Sequence, residues 1–261
     1  MHLKIRLDKL LEKRGLFESR EKAVEAINSR LLIVEGLPTY KPASLVSPDV
    51  NVEIRGPEGY VSRGGVKLEQ ALKDFAITPQ GWLALDIGAS TGGFTECLLR
   101  QGVRKVFAVD VGLGQLHHKL RSDPRVEILE GINFRYANND LVSELVNIIT
   151  IDVSFISLNL ILPIAEQFLA ENGIMVALFK PQFEVGPKEV RRGVAKNKDT
   201  IINSLLALKR TIESRGCCII NIAPSVIKGS RGNQEYFLLL KRRTDLTNGI
   251  GESYLSEVIY Q

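Results

Sequence analysis

Apolar and polar positions alternate differently in two parts of the chain. Near the start, Ile5, Leu7, Leu10 and Leu11 recur at helical spacing. Ser19 then stands where it caps a second helix carrying Ala23, Val24 and Ile27. The run Leu31-Leu32-Ile33-Val34, closed by Gly36, predicts a strand, and Val50-Asn51-Val52-Glu53-Ile54 predicts another extended piece. Gly56-Pro57-Glu58-Gly59-Tyr60 and Arg63-Gly64-Gly65 then interrupt the periodicity, which places a domain boundary between 1–60 and 61–261. Beyond it, apolar runs alternate with amphipathic stretches. Predicted strands are Trp82–Ile87, Lys105–Asp110, Val126–Leu129, Ile148–Val153, Ile174–Lys180, Cys217–Ala223 and Glu235–Leu240, with helices over Gly92–Arg100, Leu158–Ala170 and Thr200–Arg215. The expected fold class is α/β: a doubly wound, seven-stranded parallel sheet covered on both faces, preceded by a small α+β domain.

Composition narrows the function classes. At 261 residues, 44% hydrophobic and 25% charged, the chain buries a full core. No apolar run approaches the roughly 18–20 residues of a membrane helix, and the N-terminus lacks a secretory signal, so a cytoplasmic protein without stable membrane association is expected. Three cysteines, two of them adjacent, and three histidines form no metal-ligand spacing, so no metal is expected. The formal net charge of +4 permits a polyanionic partner without requiring one.

The stretch Leu83-Ala-Leu-Asp86-Ile-Gly88-Ala-Ser90-Thr91-Gly92-Gly93-Phe94 reads as a buried strand that ends in a loop of small residues and opens a helix. In a doubly wound sheet a nucleotide-like ligand lies in the crevice at the carboxyl ends of the strands. The next strand ends at Asp110, twenty-two residues after Gly88, where a carboxylate can accept from both hydroxyls of a ribose. NAD(P) and S-adenosylmethionine share this arrangement. The dinucleotide fingerprint requires glycine where this chain has Ser90. Asp86 would repel a pyrophosphate, yet could orient the amino-acid portion of a sulfonium ligand directly or through water. S-adenosylmethionine is therefore the expected cofactor, with Asp86, Gly88, Ser90, Thr91, Gly92, Asp110 and, past the third strand, Asn133 as candidate contacts.

A lysine closing a run as apolar as Ile174–Phe179 is unusual, because a buried ammonium must pair with a carboxylate or lose its proton. Asp152, at the end of the fourth strand, is the expected partner of Lys180. Glu235 stands at the start of the last predicted strand, and Lys67 opens the second domain. Two lysines and two carboxylates facing one crevice suit removal of a proton from a weakly acidic hydroxyl, which then attacks a methyl carbon in line. A ribose 2′-hydroxyl fits this chemistry. The Asn/Asp-Pro-Pro-aromatic loop that would suit a nucleobase amine is absent after the fourth strand.

Asp86-Ile-Gly-Ala-Ser-Thr-Gly-Gly-Phe-Thr-Glu96, Asp110-Val-Gly-Leu-Gly-Gln-Leu116, Asp152-Val-Ser-Phe-Ile-Ser-Leu158, Lys180-Pro-Gln-Phe-Glu-Val-Gly186 and Gly232-Asn-Gln-Glu-Tyr-Phe237 together resemble the TlyA (hemolysin A) family. That resemblance spans essentially the whole chain. It implies an FtsJ-like, Rossmann-like methyltransferase domain, methylation of cytidine 2′-hydroxyls in ribosomal RNA, and a Lys-Asp-Lys-Glu catalytic tetrad falling on Lys67, Asp152, Lys180 and Glu235. The first sixty residues look like the family's ribosomal-protein-type RNA-binding domain, carried by Arg6-Leu-Asp-Lys9, Ser19-Arg-Glu-Lys-Ala23 and Leu32-Ile-Val-Glu-Gly36. Ten basic against nine acidic residues there mean that RNA contact must come from a basic face. Arg6, Lys9, Arg20 and Lys22 are the candidates there, and Arg63, past the boundary, is a further one. In the second domain, the basic loop 186–198 carries Lys188, Arg191 and Arg192 close to Lys180 and is expected to fold over bound RNA. The implied partner is ribosomal RNA within ribosomal subunits. Two alternatives address the same residues: a non-catalytic RNA-binding assembly factor, and a membrane-active hemolysin suggested by the family's second name.

Overall fold

A computed structural model describes residues 4–17, 19–28, 32–37, 40–54, 59–229, 231–243 and 249–260. Internal contacts divide the chain into two compact units, Met1–Arg63 and Gly64–Gln261. The first contains β1 (Ile5–Arg6), α1 (Leu7–Lys13), α2 (Arg20–Asn28), β2 (Leu32–Val34), β3 (Leu45–Val46) and β4 (Val52–Ile54). β1 pairs with β3 and β2 with β4, both antiparallel. Leu7, Leu10 and Leu11 from α1 meet Ala23 and Ile27 from α2 in a small core completed by Leu32, Val34 and Val46. Ser19 Oγ accepts from the Lys22 amide at 3.2 Å and so caps α2. Ile5, expected in the first helix, instead pairs with Val46 as strand. Leu31 and the boundary residues 56–58 lie outside the described residues.

The second unit is introduced by α3 (Arg63–Asp74) and followed by β5 (Leu83–Ile87), α4 (Gly93–Arg100), β6 (Lys105–Asp110), α5 (His118–Arg121), β7 (Val126–Glu130), β8 (Val146–Ile151), α6 (Leu158–Ala165), β9 (Leu169–Phe179), α7 (Pro181–Glu184), β10 (Val190–Arg191), β11 (Val194–Ala195), α8 (Lys198–Glu213), β12 (Cys217–Pro224), β13 (Tyr236–Arg242) and α9 (Glu252–Tyr260). Seven strands form one sheet in the order β12-β13-β9-β8-β5-β6-β7. The chain runs outward from β5 to β6 and β7, then returns to β8 on the other side of β5. That reversal opens a crevice outside the carboxyl ends of β5 and β8.

The expected all-parallel sheet is corrected to a mixed one. β5 to β9 are parallel, but β13 runs antiparallel to both β9 and β12. The physical reason is the connection: eleven residues, 225–235, join β12 to β13 without the crossover helix that parallel neighbours need. Tyr236 consequently pairs with Phe179, so β13 begins where β9 ends. The helix expected over Leu158–Ala170 is also shorter. It contains Pro163, stops at Ala165 and gives way to a 3₁₀ turn, and β9 starts at Leu169 rather than Ile174. At the C-terminus, α9 buries Leu255, Val258 and Ile259 in the main core.

Candidate active site

Strand ends and one helix converge on the crevice. Asp152 follows β8 directly, Lys180 follows β9, and Glu235 precedes β13. The antiparallel direction of β13 alone puts its first residues at the same edge of the sheet as the other two. Pro181 holds Lys180 in extended backbone (φ −111°, ψ 99°) and starts α7, which ends the strand at that position. Lys67 comes from α3, whose buried positions Leu68, Ala71 and Leu72 recur at helical spacing. Anchoring that apolar stripe fixes the phase of the helix and turns Lys67 inward.

All four side chains form close pairs. Lys67 Nζ lies 2.7 Å from Glu235 Oε2, and Lys180 Nζ lies 2.6 Å from Asp152 Oδ1. Lys180 also donates to Ser154 Oγ at 2.9 Å, and Gln182 Nε2 approaches Glu235 Oε1 at 3.5 Å. Lys67, Lys180 and Glu235 are all buried. Burial pushes the Asp152 carboxyl up, but Lys180 and then Lys67 outweigh it and hold it below the usual carboxylate range. Both cations act on one carboxylate, so the two pairs form a single electrostatic cluster. Gly229 packs against the Glu235 carboxylate so closely that a Cβ there would overlap Oε1.

The small-residue loop follows β5. Gly88 adopts φ +83°, and a Cβ at that position would stand 2.6 Å from the Asp152 carbonyl oxygen, so only glycine lets β5 end this close to β8. Ser90 (φ +47°) and Gly92 (φ +96°) carry the chain into α4. Asp110 Oδ2 accepts from the Ser90 amide at 2.8 Å and Oδ1 from the Gly112 amide at 2.7 Å, which ties the ends of β5 and β6 together. Ser90, Thr91 and Asn133 are exposed at this edge, and Asn133 caps a short 3₁₀ turn.

Asp86 differs from expectation. Its side chain is fully buried, with Oδ2 accepting from Thr95 Oγ1 at 2.7 Å and Oδ1 from Thr150 Oγ1 at 2.8 Å. A carboxylate enclosed in this way makes no direct contact with the crevice; it braces β5 against α4 and β8. Burial, with a smaller push from Asp152, raises its pKa to about 7 despite the two threonine hydroxyls. The folded chain therefore keeps this proton longer than the unfolded chain, and stability contributed by Asp86 falls as pH rises from about 4 to about 7, then levels off. Asp86→Asn is expected to remove that component, so that urea midpoints at pH 5 and pH 8 lie closer together than in the wild type. An unchanged difference would show that Asp86 ionises normally.

A family model for FtsJ-like methyltransferases matches residues 60–242. The chain belongs to that family. The 16S/23S rRNA (cytidine-2′-O)-methyltransferase TlyA of Mycobacterium tuberculosis is 41% identical over 94% of this chain and 92% of its own length. Hemolysin A of Brachyspira hyodysenteriae is 40% identical over 89% of this chain and 98% of its own. A solved Streptococcus thermophilus structure carrying the hemolysin name superposes with a TM-score of 0.79 at 38% identity, over 100% of this chain and 96% of that one.

In this FtsJ-like methyltransferase, no helix among the described residues is long and apolar enough to cross a membrane, and no cluster of His, Cys, Asp and Glu there suits a metal ion. Lys9 and Lys22 are exposed in the first unit. Arg6 and Arg20 both engage the buried Asp8, each at 2.8 Å. Hydrogen bonding from Arg6, followed by that from Arg20 and the Lys9 amide, holds the Asp8 carboxyl far below its usual range against the effect of burial. Arg63 is half-buried at the start of α3. Segment 186–198, expected as a loop, instead contains a 3₁₀ turn and the β10–β11 hairpin, with Lys188, Arg191 and Arg192 exposed.

Three residues beside the tetrad escaped sequence reasoning. Ser154 holds Lys180, and Phe183 lies 6.0 Å from its Nζ. Phe155 is 90% exposed, adopts φ +62° and packs 4.9 Å from the Phe183 ring. A strained, solvent-facing aromatic three residues after Asp152 is a functional signal, but only the folded structure reveals its φ and exposure.

Proposed function

We propose that the protein transfers the methyl group of S-adenosylmethionine to the 2′-hydroxyl of a cytidine in ribosomal RNA, in the cytoplasm and within a ribosomal subunit. The observation that carries this reading is Lys180 Nζ, held at once by Asp152 and Ser154 at the carboxyl edge of the sheet, with Lys67, itself paired to Glu235, acting on the same carboxylate. The residues at the ends of β5 and β6 fit an adenosyl sulfonium ligand. Gly88, Ser90, Thr91 and Gly92 offer backbone and small side chains, Asp110 offers lone pairs beyond its two amide bonds, and the exposed Val111 and Leu113 offer an apolar surface for a purine. Asn133 stands at the same edge.

When bound, the cofactor supplies an electrophilic methyl carbon. Lys180, once its ammonium has given a proton to solvent, takes the proton of the 2′-hydroxyl; Asp152 and Ser154 fix the amine in place, and Lys67, paired with Glu235, keeps Asp152 ionised. The exposed Phe155 ring offers a face on which a base of the RNA stacks. Residues 61–261 carry the transfer, and 1–60 bind RNA through Arg6, Lys9, Arg20 and Lys22, with Arg63 at the junction. In the second domain, Lys188, Arg191 and Arg192 contact phosphates.

Ribosomal subunits from cells lacking the protein, incubated with labelled methyl donor, are expected to gain methyl groups on cytidine ribose, read as phosphodiester bonds newly resistant to alkali. Methyl groups on base atoms would overturn the role given to Lys180. Absence of saturable cofactor binding in calorimetry would leave the assembly-factor reading in its place.

A further inference from the structure

Asn233 is 3% exposed and sits two residues before Glu235, yet its side chain is used entirely elsewhere. Its Oδ1 accepts from the Ala195 amide at 3.0 Å, and its Nδ2 donates to the Gly193 carbonyl at 2.8 Å. Both partners belong to the β10–β11 hairpin. The two turn residues of that hairpin, Arg192 (φ +52°) and Gly193 (φ +80°), are left-handed, as a tight two-residue hairpin requires. Arg231 packs against Gly193 closely enough that any side chain there would collide with it. The loop before β13 thus grips the hairpin at two points.

The same loop reaches the tetrad. The Asn233 carbonyl accepts from the Gly229 amide at 2.9 Å, Gly229 abuts the Glu235 carboxylate, and Glu235 pairs with Lys67. A continuous line of contacts therefore runs from the exposed Arg191 and Arg192 to a catalytic carboxylate. We propose that Asn233 is a positioning residue that couples the hairpin to Glu235, so that RNA held by Arg191 and Arg192 sets the geometry of the tetrad. Substrate binding and catalytic alignment are then one event: an empty hairpin leaves Glu235 less well held, and a loaded one fixes it. This rests on the proposed RNA methyl transfer.

The test is a double-mutant cycle on the full-length protein, with unmodified ribosomal subunits and labelled S-adenosylmethionine. Arg191→Ala/Arg192→Ala is expected to raise KM for RNA and also to lower kcat by about tenfold. Asn233→Ala is expected to lower kcat by about as much, with KM for the cofactor unchanged. In the Asn233→Ala background, the arginine substitutions should still raise KM for RNA but no longer lower kcat. Asn233→Asp keeps the acceptor for Ala195 but turns a carboxylate oxygen on the Gly193 carbonyl, so its kcat should fall at least as far as that of Asn233→Ala; the uncharged Asn233→Ser carries the cycle if thermal melting shows that Asn233→Ala does not fold. An equal kcat loss from the arginine substitutions in both backgrounds, or an effect of theirs confined to KM, overturns the coupling while methyl transfer stands. A wild-type protein that transfers no methyl overturns both.

Discussion

Lys180→Ala is expected to lower the single-turnover rate of methyl transfer by on the order of a thousandfold, while the cofactor dissociation constant measured by calorimetry stays within about threefold of wild type. In the proposed mechanism this amine takes the hydroxyl proton, and both Asp152 and Ser154 bond to it. Removing it also takes away the larger of the two cationic influences on Asp152, so that carboxyl moves back up towards the usual range. The cofactor loop is built from β5 and β6 and makes no use of Lys180, which is why binding should survive. Lys180→Arg should fail as well, because a guanidinium keeps its charge and takes up no proton. Turnover within about threefold of wild type in either variant would remove Lys180 from the mechanism.

Lys67→Met is the second large effect, and here stability and activity separate. Glu235 is 2% exposed and pairs with Lys67 at 2.7 Å, so deleting the cation leaves a buried carboxylate with only the distant amide of Gln182 among the described residues. Breaking such a pair costs about 3–5 kcal/mol, measurable as a lower urea midpoint. Replacing both partners, as Lys67→Met with Glu235→Gln, removes the unpaired charge and is expected to recover most of that loss. Transfer should remain abolished in the double variant, because Asp152 then lacks its second cation. Recovery of activity together with stability would mean that the pair only holds the fold.

Much of this site was legible residue by residue. A lysine closing the apolar run Ile174–Phe179 announced an ionic partner, and the small-residue loop after β5 announced a ligand crevice, because burial costs and backbone sterics act locally and leave their mark in local composition. Asp86 misled for the same reason. Its position at a strand end is visible in the sequence, but whether the side chain faces the crevice or the interior depends on Thr150, sixty-four residues away. Phe155 carries no sequence mark at all, since a positive φ in a non-glycine residue is imposed by its surroundings.

By itself the chain determined its alternation of strands and helices, which follows from short-range periodicity, and the loop that suits a nucleoside, which follows from local composition; the family resemblance implied the four residues of the tetrad. Only the tertiary structure decided that the last two strands form an antiparallel pair, that Glu235 therefore begins its strand beside the end of β9, and that a lysine 168 residues earlier meets it. Strand direction depends on what each connection can span and on which edge remains open for pairing. Those are properties of the assembled sheet, and no window along the chain contains them.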